Sequence, residues 1–360
     1  MTRESLKESR DKLRKKDERI VKLLNERARI SLEIGKIKKR QDLDIYDPSQ
    51  ESKIYHYLNE VNEGPLPERS LKEIFTEVLS ASRTLQAPVS VAYLGPEASF
   101  THAAAQSHFG RSTPFSPQPT IFDVFNQVER KKANWGVVPV ENSLEGTVKL
   151  TLDRLISTPL NILAEVFLLI SHSLISTRKE LYEIKRVYSH PQALAQCQAW
   201  LRKNLPQCSL NEMESTAKAA QKVLEDSEGA AIGSNNAASL YGLNIISEGI
   251  EDRSSNVTRF LVIGRGERKR TGSDKTSIFF ATRHTPGALY DLLKPFAKKE
   301  INLVKIESYP IKDRMWEYLF FVDFKGHTEE EKIKECLEDL QAQSTFTKIL
   351  GSYPTGDPES

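Results

Sequence analysis

The sequence predicts a multidomain protein built from three modules of different class: an all-α segment, a wound α/β segment, and an α+β segment. Three observations carry this. Apolar residues recur at helical spacing through the first forty positions, with no proline before Pro48. Short strand-like runs then alternate with helical stretches from about residue 89 to 265. Beyond a charged, glycine-bearing linker, the last elements follow the order strand, helix, strand, strand, helix, strand. A chain of 360 residues is also too long for one ordinary core.

The first module spans 1–88. Leu6, Leu13, Ile20, Leu24, Ile30, Ile34 and Ile37 mark one long amphipathic helix. Arg27 and Lys38 are eleven residues apart, so they point within about 20° of each other. Arg10 lies seventeen residues before Arg27, about 100° around the helix and roughly 25 Å along it. A single small ligand cannot touch both ends, so Arg10 is expected to serve a second copy of any shared site. Asp47-Pro48 starts a second helix. A turn over 62–70 precedes a third, from about Leu71 to Leu85, with Ser82 and Gln86 one turn apart.

The second module spans 89–265. Its predicted strands are Val89–Leu94, Trp135–Val140, Ile162–Ile170, Arg186–Ser189, Ala230–Gly233, Asn244–Ser247 and Arg259–Ile263. Seven strands over this length suit two small lobes, the last strand returning to the first lobe. The Pro114–Pro119 tract reads as a surface loop. The segment Gly249–Gly264 joins a loop of neutral hydrogen-bonding groups, Ser254, Ser255, Asn256 and Thr258, to a cationic fork at Arg259 and an apolar strand.

The third module spans 275–353, with strands at Thr276–Thr282, Asn302–Tyr309, Glu317–Phe324 and Phe346–Ser352 and helices at Gly287–Lys299 and Glu329–Gln341. That is a ferredoxin-like βαββαβ order. The tail from Tyr353 onward reads as disordered.

Composition narrows the functional classes. The net charge of +2 argues against a general nucleic-acid surface. The first forty residues hold 15 Lys+Arg against 7 Asp+Glu, a local excess that suits a helix lining an anionic small-molecule pocket. No apolar run has the length of a membrane span and the amino terminus is not signal-like, so a cytoplasmic location without membrane contact is expected. Cys197, Cys208 and Cys336 have neither metal-ligand spacing nor a disulfide framework and read as reduced structural thiols. No metal-ligand pattern or dinucleotide fingerprint occurs, so no cofactor is expected.

Five stretches, in order, are Leu94-Gly-Pro-Glu-Ala-Ser-Phe-Thr-His-Ala-Ala104, Pro139-Val-Glu-Asn-Ser-Leu-Glu-Gly-Thr147, Ser189-His-Pro-Gln192, Glu214-Ser-Thr216 and Asn256-Val-Thr-Arg-Phe260. They resemble the motifs of prephenate dehydratase. The three-helix order with Asp17-Glu-Arg-Ile20, Asn25-Glu-Arg27 and Glu33-Ile-Gly-Lys-Ile-Lys38 resembles the all-helical chorismate mutases. Pro286-Gly-Ala-Leu-Tyr290 and Glu307-Ser-Tyr-Pro310 resemble the ligand motifs of the amino-acid-binding ACT module. Nearly the whole chain is thus similar to the fused chorismate mutase and prephenate dehydratase family.

The resemblance implies a periplasmic-binding-protein-like pair of lobes around a cleft, followed by a regulatory ACT domain. For the mutase it implies a pocket of Arg10, Arg27, Lys38, Asp47, Glu51, Ser82 and Gln86, with Lys38 and Gln86 donating to the ether oxygen of chorismate. For the dehydratase it implies Ser99, Glu141, Asn142, Ser143, Gln192, Glu214, Ser215, Thr216, Asn256, Thr258, Arg259 and Phe260, with Thr258 at the leaving hydroxyl of prephenate and Arg259 orienting the loop or gripping a carboxylate. Histidine is a residue type suited to general acid chemistry, which makes His190 a candidate, but a residue fixing the turn before Pro191 is the stronger reading. For L-phenylalanine it implies Gly287, Ala288, Leu289, Asn302, Leu303, Glu307 and Ser308, in a homodimer or homotetramer.

Two departures from the family pattern stand out. Gln50 replaces an arginine before the glutamate, and Tyr309 replaces the arginine of Glu-Ser-Arg-Pro. The first is expected to remove a carboxylate-binding cation, the second to weaken inhibition by phenylalanine. Two rival readings are a non-catalytic small-molecule sensor and a dehydratase whose helical module only dimerises.

Overall fold

The computed structural model describes residues 3–253, 255–310 and 318–356. Ser254 and Glu317, read from the sequence as a loop hydroxyl and a strand start, lie outside them. Two compact units form. One comprises the chain up to Asp47 with Ile54–Val89 and Phe109–Pro114; the other comprises Pro48–Lys53, Ser90–His108 and the chain from Phe115 onward.

The helices of the amino-terminal region are α1 (Arg3–Arg40), α2 (Pro48–Glu60) and α3 (Glu68–Gln86). Helix α2 begins at the predicted proline. Helix α3 begins three residues before the predicted Leu71, because Pro67, at φ −61° and ψ 144°, ends the turn and Glu68 supplies the acidic first turn that a helix amino terminus favours. In the first unit α1 and α3 approach closely at Gly35, where an added Cβ would come within 2.8 Å of Gln86 Cγ. Arg83 is buried there, donating to the Phe109 carbonyl at 2.5 Å and lying over the Tyr46 ring. Along α1 the apolar row stays uncovered: Leu13 is 62% and Ile20 53% exposed.

The second unit contains β1 (Val91–Leu94), α4 (Phe100–Phe109), β2 (Phe115–Gln118), α5 (Ile121–Glu129), β3 (Trp135–Asn142), β4 (Gly146–Thr147), α6 (Lys149–Ser157) and β5 (Asn161–Leu169). Next come β6 (Ser173–Ser176), β7 (Arg186–Ser189), α7 (Pro191–Gln196), α8 (Gln198–Asn204), β8 (Ser209–Glu212), α9 (Thr216–Val223), β9 (Gly229–Gly233), α10 (Asn235–Tyr241), β10 (Asn244–Ser247) and β11 (Val257–Gly264). All seven predicted strands form. They divide into one sheet of order β2-β1-β3-β11-β5, with β4 on β3, and a second of order β10-β6-β9-β7-β8. Strand β11 does return to the first lobe, antiparallel to both β3 and β5. The chain crosses between sheets after β5 and again after β10, and hydrogen bonds tie the crossovers together: Ile170 N to Asn256 O at 2.7 Å and Ile250 N to His172 O at 3.0 Å.

The Pro114–Pro119 tract is not a loop. Its residues 115–118 form β2, parallel to β1 alone, and an edge strand tolerates Pro117 because only one side needs ladder bonds. Strands β6 and β8 escaped the sequence reading, being only four residues long with polar ends.

The last strands and helices are β12 (Asp274–Ala281), α11 (Ala288–Lys298), β13 (Leu303–Pro310), β14 (Tyr318–Lys325), α12 (Glu331–Gln343) and β15 (Phe346–Pro354). They form the expected βαββαβ unit, an antiparallel sheet of order β13-β14-β12-β15. One face packs on its own helices through Phe280, Phe296 and Phe324; the other joins a core with Val138, Leu152 and Leu155 of the dehydratase-like lobe through Phe279, Phe321 and Leu350. At Gly351, φ 146°, a Cβ would stand 2.3 Å from the Ile162 carbonyl oxygen, so glycine permits β15 to lie against β5. The tail prediction fails at its first residues. Tyr353 is wholly buried on β15, and Gly356 N donates to Glu165.

Candidate active sites

A cavity of about 390 Å³ lies between the two lobes. Side chains reach it from strand ends and helix starts: Ser99 and Phe100 at the head of α4, Asn142 at the end of β3, His190 and Gln192 at α7, Glu214, Ser215 and Thr216 at α9, and Asn256, Thr258 and Phe260 from the crossover and β11. Of the predicted dehydratase residues the structure brings together Ser99, Asn142, Gln192, Glu214, Ser215, Thr216, Asn256, Thr258 and Phe260. Ser215 also caps α9, accepting from Lys218 N. His190 behaves as the turn-fixing reading expects, its Nδ1 accepting from Gln192 N at 3.3 Å.

Glu141, Ser143 and Arg259 are placed elsewhere. Side chains alternate along a strand, so Thr258 and Phe260 face the cleft while Arg259 between them faces away. Its guanidinium, 5% exposed, donates to Glu165 at 2.8 Å, to Asp323 at 2.6 Å and to the Tyr353 hydroxyl at 3.0 Å. Glu141 faces the same way, bonded to Lys305 at 2.9 Å. Ser143 spends its hydroxyl on the crossover backbone, donating to Ser255 O and accepting from Val257 N. The period of two was the signal that would have separated Arg259 from Thr258.

The polar wall of the cleft forms one directed chain of hydrogen bonds. Asn142 Oδ1 accepts from the backbone N–H groups of Leu144 and Glu145 at 3.0 and 3.1 Å, which fixes which end of its amide is the oxygen. Its Nδ2 then donates to Asn256 Oδ1 at 2.7 Å and to Thr258 Oγ1 at 2.8 Å. Asn256 Nδ2 in turn donates to Gln196 Oε1 at 3.2 Å, and His172 Nε2 lies 2.9 Å from that same oxygen. Two consequences follow. Thr258 Oγ1 is an acceptor toward Asn142, so its own proton is left for whatever enters the cleft. Gln196 and His172 belong to the site, although neither sits in a recognisable motif; only proximity after folding reveals them.

In the helical unit Arg27 Nη1 donates to Ser82 Oγ at 2.7 Å and Gln86 Nε2 to Ser31 Oγ at 2.9 Å, while Lys38 Nζ reaches the Ile45 carbonyl at 2.8 Å. These contacts draw Arg27, Ser82 and Gln86 onto the α1–α3 seam. Arg10 is exposed on α1, Asp47 is half-buried just before α2, and Glu51 lies in the first turn of α2.

Residues 9–87 match the Chorismate mutase type II family model, residues 91–268 that of Prephenate dehydratase, and residues 276–342 that of the ACT domain. The chain is 46% identical, over 98% of both sequences, to the bifunctional chorismate mutase/prephenate dehydratase of Aquifex aeolicus. It belongs to the bifunctional chorismate mutase/prephenate dehydratase family. The corresponding enzyme of Neisseria gonorrhoeae is 43% identical over 94% of each chain. The crystal structure of a prephenate dehydratase in complex with L-Phe from Arthrobacter aurescens, 34% identical, matches 75% of this chain and 91% of that one with a TM-score of 0.70.

In this bifunctional chain the ACT sheet meets the dehydratase lobe through charge. Lys275 Nζ joins the Arg259 cluster, 2.7 Å from Glu165, and Ser277 donates to Asp323 at 2.5 Å. Burial opposes the charged form of Arg259, yet Tyr353, Asp323 and Glu165 together raise its pKa above the ordinary value. Glu307, predicted to face the regulatory ligand, instead bonds Thr147 of the cleft wall and Lys305. Alternation on β13 explains this: residues 305, 307 and 309 turn toward the dehydratase lobe, while Val304, Ile306 and Ser308 stay exposed. Gly287, at φ 81°, caps α11 ahead of Ala288 and Leu289; Leu303 begins β13 directly after Asn302.

Arg259→Met is expected to destabilise the dehydratase–ACT unit by about 3–5 kcal/mol, the usual cost of leaving buried carboxylates without their cation. Urea unfolding followed by fluorescence measures it, and a loss below about 1 kcal/mol contradicts the structural role.

Proposed function

We infer that this chain rearranges chorismate to prephenate in its helical module and converts prephenate to phenylpyruvate in the cleft, under feedback inhibition by L-phenylalanine at the ACT module. The observation that carries the dehydratase reading is the Thr258 hydroxyl, whose oxygen is held by Asn142 while its proton is unclaimed inside a polar cavity.

The chemistry needs little more. As the ring carboxylate leaves as carbon dioxide, the electrons of its C–C bond enter the ring and expel the hydroxyl on the opposite carbon. The departing oxygen takes a proton and becomes water. Thr258 supplies that proton and is reprotonated from solvent. No lysine or arginine is among the described residues lining the cleft, whose charged lining groups are Glu145 and Glu214, so the departing carboxylate would be held by neutral donors and the amino termini of α4 and α9 rather than by a cation. A carboxylate without a tight counter-ion loses carbon dioxide more readily. The mutase step is a single rearrangement without proton transfer, so cationic and neutral donors such as Arg27, Lys38 and Gln86 need only hold the compact conformer and stabilise charge on the ether oxygen.

The uncovered apolar row of α1 supports a homodimer in which Arg10 reaches the second copy of the mutase site; a cytoplasmic location suits both reactions. Incubation with chorismate, followed by chorismate disappearance and phenylpyruvate appearance and then repeated with prephenate, tests both activities. Conversion of prephenate alone leaves the helical module as a dimerisation arm.

Regulation makes its own prediction. The Tyr309 hydroxyl donates to Asp153 on α6, and burial followed by that carboxylate pushes the Tyr309 pKa up to about 12. An arginine at this position would offer Asp153 a bidentate partner and couple β13 to α6 more firmly. Tyr309→Arg is therefore expected to be more strongly inhibited by phenylalanine than the parent, by an amount within the usual 1–3 kcal/mol of coupling. Dehydratase activity against phenylalanine concentration, with calorimetric binding alongside, decides it; identical inhibition curves make Tyr309 irrelevant to coupling.

A further inference from the structure

The chain of hydrogen bonds in the cleft ends on an imidazole nitrogen with nothing to bind. Because backbone amides fix Asn142, and Asn142 fixes Asn256, Gln196 must present its oxygen to His172. His172 Nε2 therefore carries the proton, and Nδ1 is a bare acceptor. The residue is 2% exposed, lines the cleft, and its Nδ1 has no hydrogen-bond partner. A buried acceptor left without a donor is unfavourable, and a ligand hydroxyl would satisfy it. Prephenate carries two ionised carboxylates, a ketone and one hydroxyl, so the hydroxyl is its sole hydrogen-bond donor.

We propose that His172 is a substrate-contacting residue of the dehydratase site, its Nδ1 accepting the hydrogen bond of the leaving hydroxyl and so turning that oxygen's lone pair toward the Thr258 proton. The proposal rests on Thr258 acting at that hydroxyl. It gives the two polar ends of the network opposite tasks: Thr258 donates to the oxygen, and His172 accepts from it. The acceptor exists only while His172 is neutral. Burial holds its pKa below the usual imidazole value, against the opposing influence of Gln196 and of Glu251, whose carboxylate takes the His172 backbone N–H. Among the described residues Glu145, Glu214 and His190 are the other titratable groups lining the cavity, and from α4 the Phe100 ring packs T-shaped against His172 at 5.6 Å between centroids. Turnover should thus fall on the acid side of the ordinary imidazole range, as Nδ1 becomes protonated.

The test compares His172→Asn, which keeps an acceptor oxygen near the Nδ1 position, with His172→Gln, which keeps a donor near Nε2 for Gln196 and loses the Nδ1 acceptor. Dehydratase kcat and KM are measured with prephenate from about pH 5 to 9, using mutase activity as the folding control. The Gln variant is expected to lose about tenfold or more in kcat, the Asn variant less, and the acid limb seen in the parent should vanish in the Asn variant. A purely structural role through Gln196 predicts the reverse order, and that order, or a Gln variant equal to the parent, overturns the proposal. Should neither variant fold, absence of the acid limb in the parent overturns the proposal, as does loss of that limb in His190→Gln; a limb that persists in His190→Gln supports it. Thr258→Ala run in parallel separates the two ideas: if that variant keeps full turnover, the Thr258 reading itself fails.

Discussion

Replacing Thr258 by alanine is expected to lower prephenate turnover by roughly a hundredfold or more, the usual scale for a positioned proton donor, and to leave chorismate turnover unchanged. The replacement removes the hydroxyl and the γ-methyl of one residue on the cavity wall and leaves the β11 backbone intact, so the loss should appear in kcat with KM changed little. Asn142 would keep its bonds to Leu144, Glu145 and Asn256, and only the branch to Oγ1 would go. Serine at the same position retains a hydroxyl that can accept from Asn142 and donate outward, so Thr258→Ser should recover most of the activity. Steady-state assays with each substrate measure both effects. Survival of prephenate turnover within a few-fold in Thr258→Ala removes the threonine from the mechanism.

Lys38→Ala is expected to abolish chorismate turnover while prephenate turnover persists. The ammonium is part-buried near the end of α1, held by the Ile45 carbonyl. An ammonium facing the ether oxygen of chorismate would stabilise the negative charge that builds there as its C–O bond breaks. By resemblance, an arginine at position 50 would bind a substrate carboxylate without taking part in the rearrangement, so Gln50→Arg should preserve or raise mutase activity. Unchanged chorismate turnover in Lys38→Ala would instead leave the helical module a dimerisation arm.

Much of this protein is legible in its sequence because the signals are local. Helix periodicity, the Asp47-Pro48 start, alternating strands and the βαββαβ order are written within windows of ten to thirty residues, and they fixed the three modules before any contact was known. The residues Ser99, Asn142, Gln192, Glu214 and Thr258 are named through the resemblance of their motifs to the dehydratases, and the fold places all five on one cavity. What tertiary structure alone decided is direction and company. Arg259 follows Thr258 directly, yet it turns to the opposite face, where Glu165, Asp323 and Tyr353 arrive from strands distant in sequence. Tyr353 looks like the start of a loose tail until β15 pairs with β12 and buries it. His172 and Gln196 have no motif around them, and they enter the site only because the crossovers between two sheets bring Asn256 against α7. The physical reason is common to all: burial and hydrogen-bond satisfaction are set by partners far along the chain, and a local pattern cannot name them.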